Sequence, residues 1–256
     1  MDIEQYLKRI DFQGDTSIDE NLLFKLQKKH LLNIPFENLD IHYAKRINLS
    51  INDIYQKIVI DKRGGFCYEL NGLFHFFLKQ IGFNAKLISA RVHTKNGEYS
   101  PEYDHLAIIV NIENYEYLVD VGFGKFSLEP LKLEQHKKIS DNYGQFKFNK
   151  HDTNYYRINE IRNKKLIPQY IFKNEEHKLS EFTERCNFHQ SSENSHFTKK
   201  KLISIAKSDG RITLNNSQLK ITRLGIETVI DFDENEFDAK LKQYFDLKIK
   251  NGSCQQ

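Results

Sequence analysis

A chain of 256 residues, 39% hydrophobic and 29% charged, has the composition of an ordinary globular protein with room for one large domain or two to three small ones. A net charge of +3 is too small to point to nucleic acid, and the run Lys199-Lys200-Lys201 reads as solvated surface. Cysteines at 67, 186 and 254 lack CxxC spacing and leave one unpaired, which argues against a disulfide framework and for a reducing compartment. The start carries no basic segment followed by an apolar one, and no run approaches membrane-spanning length, so a cytoplasmic protein with no membrane partner is expected.

In chain order, the first stretch reads as helices. Asp2 and Asp19 are candidate caps, and Leu22, Leu23, Leu26, Leu31 and Leu32 recur at helical spacing. Pro35 interrupts, and Pro35–Leu39 is expected as a loop that opens a new element. Asn52 or Asp53 is placed to cap a short helix through Ile54, Ile58 and Val59, which runs up to Gly64-Gly65.

The stretch Arg63-Gly64-Gly65-Phe66-Cys67-Tyr68-Glu69-Leu70-Asn71 carries the first sign of chemistry. Leu70, Leu73, Phe74, Phe77 and Ile81 form the stripe of an amphipathic helix that Gly82 can stop. Cys67 then sits in the first helical turn, where free N–H groups and the positive dipole end favour a thiolate. The two glycines permit a close backbone approach and leave the sulfur accessible. A cysteine before an apolar helix is also commonly just a small buried hydrophobe. Partners elsewhere must decide.

From about Ala85 the period changes to two. Ala85–Arg91, Leu106–Ile112 and Tyr115–Val121 are β-branched and aromatic runs, with Asn96-Gly97 as a turn between the first pair. Gln145–Phe148, Asn154–Ile161 and Pro168–Phe172 are further strand-like pieces, so this region is expected to form an antiparallel sheet or small barrel. Beyond Glu181 the pattern is mixed: Arg211–Leu214 and Leu219–Thr222 read as a hairpin after the Asp209-Gly210 turn. A closing helix runs from about Glu234 to Phe245, and the tail Lys250–Gln256 is expected to fray.

A nucleophilic cysteine needs a base and a group that orients it. His105 opens one strand, and Asp120 ends the next in an otherwise apolar run, where a carboxylate needs a partner. With Glu113-Asn114 as a two-residue loop, Ala107 faces Asp120, and Asp120 lies one diagonal step from His105, about 7–8 Å between backbones. With Ile112-Glu113 as the loop, the two residues face each other directly. An odd-length loop separates them. Cys67, His105 and Asp120 are therefore candidates for nucleophile, base and orienter.

Arg63-Gly64-Gly65-Phe66-Cys67, His105-Leu106 and Asp120-Val121-Gly122-Phe123-Gly124 strongly resemble the three signature blocks of the arylamine N-acetyltransferases. Pro35–Leu39 resembles a fourth block, and Cys186–Phe197 with Asp209–Leu214 resembles the family's C-terminal region. The resemblance implies an α+β fold: a helical domain over 1–84, an antiparallel β-barrel-like domain over 85–180 and an α/β lid over 181–256. A cysteine-protease-like Cys-His-Asp core would lie where the first two meet. It implies that Cys67 takes an acetyl group from acetyl-CoA as a thioester and passes it to an arylamine, arylhydrazine or N-arylhydroxylamine, with no metal. Phe36, Val92, Phe123 and Phe197 would line the acceptor pocket; Gly122, Phe123, Gly124, Ser127, Asn194 and Ser195 would meet CoA. A Cys-His-Asp amide hydrolase or amide synthase of related architecture is the alternative.

Overall fold

The computed structural model describes residues 1–135, 137–141 and 143–249; Cys254 and the tail 250–256 lie outside them. Helices α1 (Ile3–Arg9) and α2 (Glu20–Asn33) begin at Asp2 and Asp19, whose carboxylates accept from Gln5 N at 3.1 Å and Leu22 N at 2.6 Å. Each supplies an acceptor to N–H groups that the helix itself leaves unpaired. Pro35 leads not into a loop but into a two-residue strand, β1 (Phe36–Glu37). Two short helices follow, α3 (Leu39–His42) and α4 (Ile51–Tyr55). Ser50, rather than Asn52 or Asp53, caps α4, and its hydroxyl accepts from Asp53 N at 3.4 Å. The chain then makes a π-helical turn over Gln56–Ile60 before the two glycines.

Helix α5 (Cys67–Ile81) ends at Gly82 with φ of 107°, a left-handed stop. It is buried along most of its length by α1 and α4 on one side and by β2 and β3 of the sheet that follows on the other. That sheet contains β2 (Asn84–Val92), β3 (His105–Ile112), β4 (Tyr115–Val119), β5 (Leu131–Lys132), β6 (Lys138–Ser140), β7 (Gln145–Lys150), β8 (Tyr156–Arg162) and β9 (Lys165–Phe172). Its order, β5-β4-β3-β2-β9-β8-β7-β6, is antiparallel throughout, and it curls into a nearly closed barrel-like layer. Pro168 is tolerated in β9 because it lies beside a bulge at Gln169, which has no partner in β8, and beyond the last β2 pair, Val92 with Tyr170.

Along β3 the side chains alternate between two apolar clusters. Leu106, Ile108 and Val110 pack towards α5, while Ala107 and Ile109 point into the barrel with Phe146, Phe148, Tyr170 and Phe172. A strand buried on both faces reads as a continuous apolar run, as the sequence does here.

The last region holds α6 (Thr183–Ser191), α7 (His196–Lys199), β10 (Leu202–Lys207), β11 (Gly210–Asn215), β12 (Gln218–Arg223), β13 (Ile226–Asp231) and α8 (Phe237–Phe245). The expected hairpin is the β11–β12 pair at the centre of a five-stranded sheet, β1-β10-β11-β12-β13. Strand β1 comes from near the N-terminus and pairs Phe36 with Ser204. Among the described residues no helix is long and apolar enough to cross a membrane.

Candidate active site

Cys67 is the first residue of α5, and the segment before it is fixed by charge. Arg63 donates to Glu37 and Asp40 at 2.9 Å each, and Lys57 meets Asp40 and Glu69 at 2.8 Å each. Glu69 accepts from Phe66 N at 3.1 Å, which ties this network to the helix start. The glycines serve close approach: a Cβ at Gly64 would lie 2.1 Å from the Pro35 carbonyl oxygen, and one at Gly65 would lie 2.8 Å from Glu69 Cβ. Cys67 itself is only 3% exposed, and what access it has is through the cavity that it lines.

Burial sets the electrostatics of this sulfur. It pushes the Cys67 thiol well up, and the charges of Asp104, Cys186 and Asp120 push the same way; the Leu106 backbone N–H opposes them. The helix-start effect expected from the sequence is therefore outweighed. A thiolate at Cys67 requires a base close enough to keep the transferred proton beside it, and His105 lines the same cavity.

Of the registers left open by the sequence, the chain adopts the two-residue loop Glu113-Asn114, with Ile112 opposite Tyr115 and Ile108 opposite Val119. Glu113 takes φ of 54° to make the turn. Asp120 follows directly after β4 and accepts from His105 Nε2 through Oδ2 at 2.7 Å. Both side chains are almost fully buried. Nδ1 is the ring nitrogen that this bond leaves free of Asp120.

Three further groups hold Asp120. Tyr170 OH donates to Oδ2 at 3.1 Å, and Asn71 Nδ2 and Gly122 N donate to Oδ1 at 2.9 Å each. Burial pushes Tyr170 well up, so it stays a donor. Asn71 joins every element of the site, since it also donates to Leu106 O at 2.6 Å and accepts from Val121 N at 2.9 Å. It lies one turn after Cys67 and was not among the residues expected at the site. A fully buried amide in an apolar helix was the available signal.

The cavity measures about 430 Å³. Phe36, Val92, Phe123 and Phe197 all line it with Cys67 and His105, and so do Gly122 and Gly124. A larger groove of about 670 Å³ runs between the 11–19 segment and α2, but contains no cysteine or histidine. Ser127, Asn194 and Ser195 are not brought to the active-site cavity. Ser127 is buried and bonded to Asp141, Asn194 is exposed, and Ser195 is buried with its hydroxyl against His189 Nδ1 and Phe197 N. Local acceptors and donors have claimed these hydroxyls. The N–H of Gly122, a residue expected to meet CoA, is likewise taken by Asp120.

Gly122 has a different duty. A Cβ there would sit 2.7 Å from Cys67 Cα and 2.8 Å from Asn71 Nδ2, neither of which can retreat freely. Gly122→Ala should shift the Asp120 loop against α5 and lower turnover by about 100-fold, the scale of a 1 Å misplacement. Steady-state turnover beside a melting curve tests this, with activity falling far more than the melting temperature.

A family model described as N-acetyltransferase matches residues 20–254. Mouse arylamine N-acetyltransferase 2 is 30% identical over 277 residues, covering 98% of this chain and 95% of that protein. Among solved structures, the arylamine N-acetyltransferase of Salmonella typhimurium superposes with a TM-score of 0.90 at 24% identity, covering 98% of this chain and 94% of that one. One from Bacillus cereus, described as having a unique Cys-His-Glu catalytic triad, gives 0.89 at 26% identity over 97% of this chain and 100% of that one.

Proposed function

The chain belongs to the arylamine N-acetyltransferase family, a group of acyltransferases, and from that premise we propose that Cys67, His105 and Asp120 run a two-step acetyl transfer. Cys67 gives its proton to His105 Nδ1, and the thiolate attacks the carbonyl of acetyl-CoA. The new C–S bond forms as the old one breaks, and CoA leaves as a thiol with the proton from His105. An arylamine or arylhydrazine then attacks the thioester. His105 takes the proton from the attacking nitrogen, the amide forms, and the proton returns to Cys67. N-Arylhydroxylamines accept the acetyl group in the same way. The Bacillus cereus protein is described as having a Cys-His-Glu triad, and the third member proposed here is Asp120.

The observation that carries this reading is the buried 2.7 Å His105–Asp120 pair, whose histidine shares with Cys67 a cavity also lined by Phe36, Phe123 and Phe197. Lys125 and Arg211, neither in an ion pair among the described residues, also line the cavity and suit a polyanionic donor. Phe36, Phe123 and Phe197 suit a flat apolar acceptor and exclude water from the thioester.

Hydrolysis of acetyl-CoA without amine is therefore expected to run at least about 100-fold slower than transfer to aniline, the scale of one lost positioning effect. Release of free CoA thiol, followed with and without aniline, makes the comparison. Equal rates would instead favour an amide-hydrolase-type activity.

A further inference from the structure

Asp104 and His105 are neighbours in sequence, yet each belongs to a different Asp–His pair. His105 is held by Asp120, whereas Asp104 Oδ1 accepts from His189 Nε2 at 3.0 Å and from Arg185 Nη2 at 2.6 Å. His189, on α6, is only 3% exposed and also lines the cavity. Its Nδ1 stands 3.2 Å from the Ser195 hydroxyl, and that hydroxyl accepts from Phe197 N at 3.2 Å. The result is one continuous chain of hydrogen bonds: Asp104, His189, Ser195, Phe197. Both nitrogens of His189 are engaged, so this imidazole is no second base. It is a strut.

What it supports is the aromatic wall. Phe197 packs edge-on against His189 at 5.2 Å and against Phe66 at 5.9 Å, and lies 6.1 Å from Phe36. Its carbonyl accepts from Asn38 Nδ2 at 2.9 Å and meets His42 Nε2 at 3.0 Å, so both backbone polar groups are fixed. Tyr68 OH donates to the Tyr103 carbonyl at 2.8 Å and to that of Asp104 at 3.1 Å, which clamps the other end of the strut to the Cys67 helix.

We propose that the Asp104–His189–Ser195 chain is a positioning device that sets Phe197 and thereby selects planar aryl acceptors over small, non-aromatic ones. This rests on the acetyl-transfer reading above and adds a determinant of acceptor choice. Asp104 ties acceptor selection to His105 through one peptide bond, so wall and base are held in register.

His189→Phe keeps an aromatic ring against Phe197 but removes both hydrogen bonds; Ser195→Ala removes only the lower link. Each variant is acetylated with acetyl-CoA in a first step and then challenged with aniline or with hydrazine. In both variants KM for aniline is expected to rise about tenfold, the equivalent of one hydrogen bond's net worth. In Ser195→Ala, which leaves His189 and Asp104 in place, KM for hydrazine and the rate of Cys67 acetylation are expected to move less than about twofold. The double variant should be no worse than His189→Phe, because both changes cut one chain. A parallel loss with aniline, hydrazine and donor would overturn the proposal, as would an unchanged aniline KM in Ser195→Ala. Absence of an acetyl adduct on the unaltered protein would instead be a failure of the acetyl-transfer reading.

Discussion

Cys67→Ala is expected to abolish acetyl transfer completely while the protein still folds. The side chain is small and buried in the main apolar cluster, so losing the sulfur leaves a minor cavity at a cost of about 1 kcal/mol, modest beside core truncations of 2–5 kcal/mol. No other thiol among the described residues can substitute. Cys186 is buried on α6 near Gln190, and burial pushes its thiol up to about 12, aided by Glu69 and opposed by Lys57. Cys186→Ala should accordingly leave turnover largely intact. Activity retained in Cys67→Ala would remove the proposed nucleophile.

Asp120→Asn is the second large expected effect. The carboxylate accepts four hydrogen bonds, from His105, Tyr170, Asn71 and Gly122. A carboxamide has only one accepting oxygen, so donors would be left facing an amino group, at about 1–3 kcal/mol for each unsatisfied group. The larger loss is electrostatic. Asn removes the charge that stabilises an imidazolium 2.7 Å away and can hold the ring in the wrong tautomer. In a serine triad the same exchange costs about four orders of magnitude; a loss of at least ~100-fold is the conservative expectation here.

Two effects on Cys67 compete in that variant. Removing Asp120 relieves a repulsion of the thiolate, but it is the weakest of the three charges pushing the thiol up. His105 loses a direct contact partner. The second acts on the group proposed to hold the Cys67 proton, so the pH profile of Cys67 alkylation by iodoacetamide should move upward. An unchanged profile with near-normal turnover would mean that the Asp120 charge does not act through His105.

The parts of this site that could be read from sequence are those joined by short chain segments. His105 and Asp120 are linked by one hairpin, and arithmetic puts them on one sheet face for either two-residue loop, leaving only the loop length to be settled. Asp2 and Asp19 were legible as caps because their bonds reach only three residues ahead. Strand β1 was not, since its partner β10 lies in a distant part of the chain. Strand β13 is exposed along its whole length and offers no inside-outside alternation to detect. The Asp104–His189 pair also joins two remote segments, and no local pattern predicts it. The partners of Ser127 and Ser195 were hidden for a related reason: a hydroxyl near a loop looks available until its spatial neighbours, Asp141 and His189, are known.

The central claim is that an acetyl group resides on Cys67 between donor and acceptor. The direct measurement is the intact mass of the protein after brief mixing with acetyl-CoA, then again after aniline is added, with the modified peptide located by fragmentation. One acetyl group per chain, carried on the peptide containing Cys67 and lost on addition of aniline with formation of acetanilide, is the predicted result. Acetanilide formed with no acetylated enzyme at any time, or an adduct on another residue, would contradict it.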